Sequence, residues 1–474
     1  MNRRITSMGL IVSALVLSTS VYAADAAPKQ TLKSNYQRIY NQTQGTVDNF
    51  ADMFKKGEFY GALRSNTFYY QFEDESAGDS HVVSGLGGSL VYKSATFADF
   101  DFTAGLYYSK SYFDGSKDQP SKASGDTLNL YNYGKTGDTS MGVLGQANLR
   151  YTGIAKTELI LGRQLVETFY TKSNDTKMIP NTFDGLVATT KIIDKTAIKF
   201  AYLAKEKLRG REEAHSVLMY DSSSSDGNND SAMHKGLTKT ALRAAGVSTD
   251  APLITGDIHN KSVKNLKLDA SFYAVPELLS EIMLEANYKI SLGDFTVSPG
   301  MRYIKQFDNG AGAIGGAAYD TKTAGYNDID SLDAQMIAAR VVAKISNYKF
   351  NLGYSNILDE ADLITPWRAF PTSGYTRSMA RYNWRANTKG YRIEMQRNAT
   401  KTGMYKDLFI QASILYTDAD EDKNDYDAMY YYIGFVQNIP SLENMQVRLR
   451  LGYEDTEKDD SDNLDSRFEI NYLF

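Results

Sequence analysis

"RFEINYLF", residues 467–474, holds a strict alternation to its last position. Phe468, Ile470, Tyr472 and Phe474 fall on one face, and Arg467, Glu469, Asn471 and Leu473 on the other. A two-residue period belongs to a β-strand, and a strand with one dry and one wet face separates two media. Chain ends usually fray. A segment that keeps its pattern to the end needs a pairing partner and a solvent for each face.

The same period recurs upstream. In "NLKLDASFYA" Leu266, Leu268, Ala270, Phe272 and Ala274 oppose Lys267, Asp269 and Ser271. "EIMLEANYKI" sets Ile282, Leu284, Ala286, Tyr288 and Ile290 against Glu285, Asn287 and Lys289. "MIAARVVAKI" sets Ile337, Ala339, Val341, Ala343 and Ile345 against Arg340 and Lys344, and "MQVRLRLGY" sets Val447, Leu449, Leu451 and Tyr453 against Gln446, Arg448 and Arg450. About 18 such segments are predicted, the number of a large porin-type barrel. They span 58–72, 81–93, 96–110, 141–152, 156–166, 183–193, 195–205, 251–260, 264–275, 281–291, 293–306, 333–346, 347–357, 377–388, 405–417, 427–438, 443–455 and 464–474, with 390–399 as a further strand or a turn insert.

The links between them sort by parity. Short ones such as "SLGD", "ISNY" and "NIPSLEN" follow even-numbered strands; long polar ones (111–140, 167–182, 206–263, 307–332 and 358–376) follow odd ones. Membrane barrels have this asymmetry, with short periplasmic turns and long outer loops. Charged residues recur on one face of strand after strand, so that face suits a water-filled lumen and the other lipid. Unpaired backbone groups are prohibitive in hydrocarbon, so the sheet must close. The predicted fold is all-β, a transmembrane antiparallel barrel over 58–474. Residues 464–474 then close on 58–72, with Phe468, Ile470, Tyr472 and Phe474 facing lipid as the membrane-assembly signal and Phe474 in an interfacial aromatic girdle.

Composition agrees. The 474 residues include 34 tyrosines and 36 glycines against 9 prolines. Tyrosine, with an apolar ring and a wet hydroxyl, suits an interface between lipid and water. Mean hydropathy is −0.41, and past the first residues no apolar run reaches helical membrane-span length. The chain has no cysteine, so no disulfide staples it.

At the start, "MNRR" is a basic n-region, "MGLIVSALVL" an apolar core and "STSVYA" a small-residue cleavage site. A signal peptide over 1–23, cut after Ala23, is predicted. Cleavage removes Arg3 and Arg4 and makes a chain of formal charge −5 more acidic still, which disfavours nucleic acid as a partner. Residues 24–57 read as a periplasmic lead-in. There Val47, Phe50, Met53 and Phe54 are spaced for a short helix ending at Gly57.

One stretch has a further likeness. "LGRQLVETFYTKSNDTKMIPNTFDG", residues 161–185, resembles the OprD-like porin family of Gram-negative outer membranes. The matching residues are Gly162 and Gln164 at a strand end, Asp175, Lys177, Ile179 and Pro180 in a turn, and Thr182, Phe183 and Gly185 at the next strand start. "TRSMARYNW", residues 376–384, is similar to a late strand of that family, and "VRLRLGYED…LDSRFEINY" to its last two. Lys177 departs from the family's usual Arg, and the 206–263 link is long. The resemblance implies a passive, substrate-selective diffusion channel whose third loop, here 167–182, folds into the barrel opposite a row of basic residues.

By parity, Arg150, Arg302, Arg340, Arg381, Arg448 and Arg450 fall on wet faces, and Arg64 and Arg163 lie near strand ends. With Asp175 and Lys177 of the loop, they are the candidate pore-lining and selectivity residues. Guanidinium groups stay charged and hand a carboxylate along by bidentate contacts, and a row of one charge sets ion preference. Some are expected to pair with lumen carboxylates and stiffen the wall. Basic lumen and acidic overall charge leave anion or cation preference open.

Other chemistry is not legible. "DADEDKNDYD" and "EDTEKDDSDNLD" are rich in carboxylates but lack EF-hand spacing. They read as solvated outer loops that divalent ions bridge to lipopolysaccharide, not as a metal site. "NGAGAIGGAAYD", residues 309–320, precedes no Lys-Ser/Thr and reads as an outer loop. His81, His215, His234 and His259 are the only histidines, and no nucleophile–base pair is visible. An enzyme is not expected, nor a cofactor. The rival reading is an outer-membrane adhesin or structural barrel displaying the long loop. Expected partners are outer-membrane lipid and lipopolysaccharide, the barrel-assembly machinery and small solutes, for a monomer or a trimer.

Overall fold

The computed structural model describes residues 30–32, 38–42, 44–74, 80–115, 127–128, 138–173, 176–220, 233–320, 324–458 and 461–474. Both the predicted signal peptide and Asp175 lie outside these residues.

Eighteen long antiparallel strands form a closed barrel. The first nine are β1 (Glu58–Phe72), β2 (His81–Lys93), β3 (Phe100–Asp114), β4 (Ser140–Tyr151), β5 (Thr157–Gln164), β6 (Thr182–Thr190), β7 (Thr196–Lys207), β8 (Leu253–Asn260) and β9 (Leu266–Val275). Then come β10 (Leu279–Tyr288, continued by Ile290–Leu292), β11 (Phe295–Asp308), β12 (Ala334–Ile345), β13 (Tyr348–Ile357), β14 (Lys389–Arg397), β15 (Leu408–Asp418), β16 (Ala428–Asn438), β17 (Met445–Thr456) and β18 (Asn463–Leu473). Strand β18 pairs with β1 from Asn463↔Phe72 to Leu473↔Ala62, which closes the barrel. Phe474 finishes the seam: its N–H donates to the Gly61 carbonyl (3.2 Å) and its carbonyl accepts from Gly61 N–H (3.0 Å).

The strand faces follow the alternation. Leu161, Met301 and Ile393 are each at least 60% exposed on the outer wall, whereas Asp465, Glu469 and Asn471 are buried inside. A surface of exposed aliphatic side chains over a polar interior inverts the usual soluble pattern and suits lipid outside with water within. Rings gather towards both ends of the outer wall: Phe59 on Tyr92 (centroids 4.9 Å), Phe100 on Tyr151 (4.6 Å) and Tyr472 on Phe474 (6.5 Å) at one, Tyr391 on Tyr416 (6.2 Å) and Tyr431 on Tyr453 (6.4 Å) at the other. At the second end, hydroxyls reach the acidic links: Tyr453 donates to Asp462 (2.9 Å), and Tyr416 to Asp427 (2.5 Å). The short turns bend through left-handed residues, among them Asn265 (φ 65°), Gly293 (φ 65°) and Asn444 (φ 65°), as tight hairpins require.

One predicted strand is not a strand. Residues 377–388 carry no ladder, and the wall strand here is β14, at the place read as a further strand or insert. The reason is the outward face. Tyr391, Ile393 and Met395 give β14 an exposed apolar row, which 377–388 lacks. That segment instead folds inside the barrel. The predicted strand at 96–110 is displaced to β3, behind a short strand Thr96–Phe97 that pairs in parallel with Thr46–Val47.

The lead-in helix α1 (Phe50–Lys55) is capped by Asn49, whose side chain accepts from Asp52 N–H (2.9 Å). Met53 buries it against Val47 and Ala95. The largest apolar cluster lies within the barrel, where Trp367 and Tyr170 of inward-folded segments pack fully buried with Tyr273 and Leu253 of the wall strands.

Candidate functional site

Among the described residues, segments of four links turn inward and knit together. Residues 167–182 are pinned by a Thr168–Thr171 turn, in which Thr168 Oγ1 accepts from the Tyr170 and Thr171 N–H groups (3.1 and 3.0 Å). Thr171 bridges to Arg368, and Lys172 N–H donates to the Trp367 carbonyl (3.0 Å), so this link and 358–388 share a backbone seam. Trp367 Nε1 donates to Val217 in the third link, 208–252 (2.6 Å). The Asp362 carboxylate collects Tyr319 N–H (3.0 Å), Tyr326 OH (2.8 Å) and Ala386 N–H (2.8 Å), binding the 309–333 link into the same body. Burial raises the Asp362 pKa.

Between these segments and the wall of β14–β18 lies a cavity of about 260 Å³. It is lined by Arg368, Arg377, Arg392, Arg450 and Arg467, with Thr176, Phe370, Ser378, Met379, Gln411, Ser413 and Tyr432. Among the described residues, no carboxylate-bearing side chain lines it. Behind the lining, Arg392 pairs with Glu394, Arg450 with Glu469, and Arg467 with Asp465. Those carboxylates fix the guanidinium groups without neutralising the cavity's whole charge, because Arg377 is held otherwise. It donates to the Arg381 and Met379 carbonyls (2.7 and 3.2 Å) and stacks on Phe370 (4.4 Å), Tyr382 (5.2 Å) and Trp384 (5.6 Å). A cation supported by carbonyls and ring faces keeps its field available to an anion.

The residues singled out from sequence fall in several places. Arg450 lines the cavity. Arg448 is nearly fully buried and bonds Gln446. Arg302 and Arg340 share Glu285 on the wall of β10–β12. Arg163 is doubly bonded to Asp184 (Nε–Oδ1 and Nη2–Oδ2, both 2.7 Å), and Arg150 lies between Asp101 and Glu158. Arg64 donates to Asn471 Oδ1 (2.9 Å) across the seam. Arg381 lies on the inward segment, not a strand, and binds Asp425 (2.9 Å) and Glu454 (3.1 Å) near the outer links. Lys177 is half-buried beside Thr176. Sequence reading missed Arg368, Arg377, Arg392 and Arg467. Arg392 and Arg467 had a signal, the wet parity of β14 and β18. Arg368 and Arg377 had none, because their position depends on how a long link folds. Among the described residues, no group of three or more His, Asp or Glu is placed to hold a metal ion.

No protein-family model matches the chain, and no curated protein matches it by sequence. Solved structures do match. Pseudomonas aeruginosa OpdK, crystallised with vanillate, superposes at TM-score 0.68 with 12% identity, covering 89% of this chain and 99% of that one. Acinetobacter baumannii OccAB4 gives 0.69 at 15%, covering 93% and 100%, and P. aeruginosa OccK9 (OpdG) 0.70 at 14%, covering 89% and 99%. The chain therefore has the eighteen-strand barrel fold of the OprD/Occ-type outer-membrane porins.

Proposed function

We propose that this protein is an outer-membrane porin, a passive water-filled channel that favours small carboxylate-bearing solutes. The observation that carries the reading is the cavity lined by Arg368, Arg377, Arg392, Arg450 and Arg467, with no acid among the described residues of its lining. Guanidinium forks match carboxylates bidentately, and Phe370 and Tyr432 beside them offer ring faces, so aromatic carboxylates suit it well. The vanillate held by OpdK is of that class. The exposed apolar wall and its two aromatic girdles support placement in the outer membrane, with residues 1–23 as the export signal. Nothing in the passage requires energy coupling or bond chemistry.

The test is single-channel recording in a planar bilayer under a potassium chloride gradient. Stable current steps with a reversal potential on the chloride side, and partial block by benzoate, are expected. A cation-side reversal potential would discard the anion preference. No current from a folded barrel would return the protein to the adhesin class.

A further inference from the structure

At the end of the barrel that carries the short turns, three neighbouring turns border an open cleft of about 830 Å³. Lys156, Lys191, Lys195 and Lys261 line it. The turns are tied in register: Lys191 N–H donates to the Lys156 carbonyl (2.9 Å), and Lys261 N–H to the Lys195 carbonyl (3.0 Å). Asn260 Nδ2 adds a bond to Thr196 Oγ1 (2.8 Å). So the backbone brings four ammonium groups to one mouth.

These lysines differ from the arginines deeper in the barrel. Among the described residues none of the four has a carboxylate within salt-bridge distance, although Asp194 also lines the cleft. The remaining basic groups there are already matched: His259 Nδ1 lies 2.6 Å from Asp269 Oδ1, and Lys267 Nζ 2.7 Å from Asp269 Oδ2. Crowding like charges at adjacent ladder ends is unfavourable unless a counter-charge visits. The cleft is continuous with the lumen wall, since His259 and Lys267 lie on inward-facing positions of β8 and β9. A solute in transit reaches it more readily than a lipid headgroup does. Lysines are mobile point charges, so they suit a compact anion of several charges better than one planar carboxylate.

We infer that this lysine cleft is a second anion-binding site, at the periplasmic mouth, which takes small multivalent anions with phosphate-type or clustered carboxylate charge. It extends the anion-channel reading above and rests on it only for the solute's route. Functionally, it gives the pore a side: multivalent anions are held where solute leaves the channel.

The test uses the full folded barrel and inorganic pyrophosphate. The chain lacks cysteine, so a Glu421→Cys variant labelled with a membrane-impermeant maleimide reports which side the loops face. Pyrophosphate on the turn side is expected to block current at a concentration about tenfold lower than on the loop side. In the combined Lys156→Gln, Lys191→Gln, Lys195→Gln, Lys261→Gln variant the difference disappears, and the matching Lys→Arg set retains it. Calorimetric titration of pyrophosphate into the detergent-solubilised barrel separates this inference from the pore reading. Binding lost in the Gln set supports the site even if the channel proves cation-selective. Equal block from both sides, or binding unchanged in the Gln set, overturns it.

Discussion

Arg302 and Glu285 stand directly opposite one another on β11 and β10, with Arg302 Nε 2.7 Å from Glu285 Oε2. Arg340 Nη2 takes the other carboxylate oxygen at 2.8 Å, and both guanidinium groups lie 4.5 Å from the Tyr375 ring. Arg302 Nη1 also donates to the Pro371 and Ser373 carbonyls (2.6 and 2.9 Å), and Arg340 Nη1 to Gly374 (3.0 Å). These arginines fasten the inward segment to the wall. Arg302→Gln removes one partner of a buried pair, a change that costs about 3–5 kcal/mol. A lower urea midpoint and a larger, noisier conductance are the expected result; an unchanged urea midpoint would mean that the pair fastens nothing.

The wall faces give a paired comparison. Leu449 pairs with the outward Phe468, while Arg448 is buried inside opposite Glu469. Leu449→Arg places a charge in lipid, at about 2–4 kcal/mol near the midplane, whereas Arg448→Leu mainly alters the lumen. Folding yield into vesicles should fall far more for the first. Equal losses would contradict the face assignment.

Arg377 is the cavity cation held by stacking and carbonyls. Arg377→Gln should shift the reversal potential toward cations and weaken benzoate block while the barrel still folds. Arg163→Gln, at a site outside the cavity lining where the arginine is matched by Asp184, should shift it less. Equal shifts would remove Arg377 from the selective position.

Gly353 faces inward on β13, and a Cβ there would lie 2.3 Å from the Tyr375 carbonyl oxygen. Only glycine lets the inward segment approach so closely. Gly353→Val is expected to push residues 372–376 off the wall and destabilise the protein by about 1–3 kcal/mol, as overpacking does. Thermal unfolding in detergent measures it, and a wild-type midpoint would argue against the contact.

His234 is fully buried in the 208–252 link, where Nε2 donates to the Gly316 carbonyl (2.9 Å) and Nδ1 accepts from Gly236 N–H (3.1 Å). Burial lowers its pKa from 6.5 to about 4. The unfolded link therefore binds the proton more readily than the folded one. The stabilisation is complete above the unfolded value and is lost as pH falls from about 6.5 toward 4. Hydrogen exchange of residues 234–247 should accelerate across that window relative to His234→Gln at each pH. Parallel profiles would exclude His234 as the cause.

The sequence by itself determined the barrel. A two-residue period is local, and each strand states which face is dry without reference to any other. The closing of 464–474 on 58–72 and the outward rows of β9, β10, β12 and β17 could all be read in advance; the residue register of the seam could not. The short helix was equally local, because Asn49 and Met53 belong to one turn of chain. Tertiary structure alone decided what fills the lumen. Residues 377–388 alternate well enough to imitate a strand, but alternation does not say whether the second face meets lipid or another segment. The absence of a bulky aliphatic row, against Tyr391, Ile393 and Met395 just downstream, was the available clue. Parity likewise put Arg302, Arg340 and Arg450 on the wet side without distinguishing a matched arginine from an available one. That depends on which carboxylate stands across the ladder and which link folds over it, both set by contacts between residues tens of positions apart.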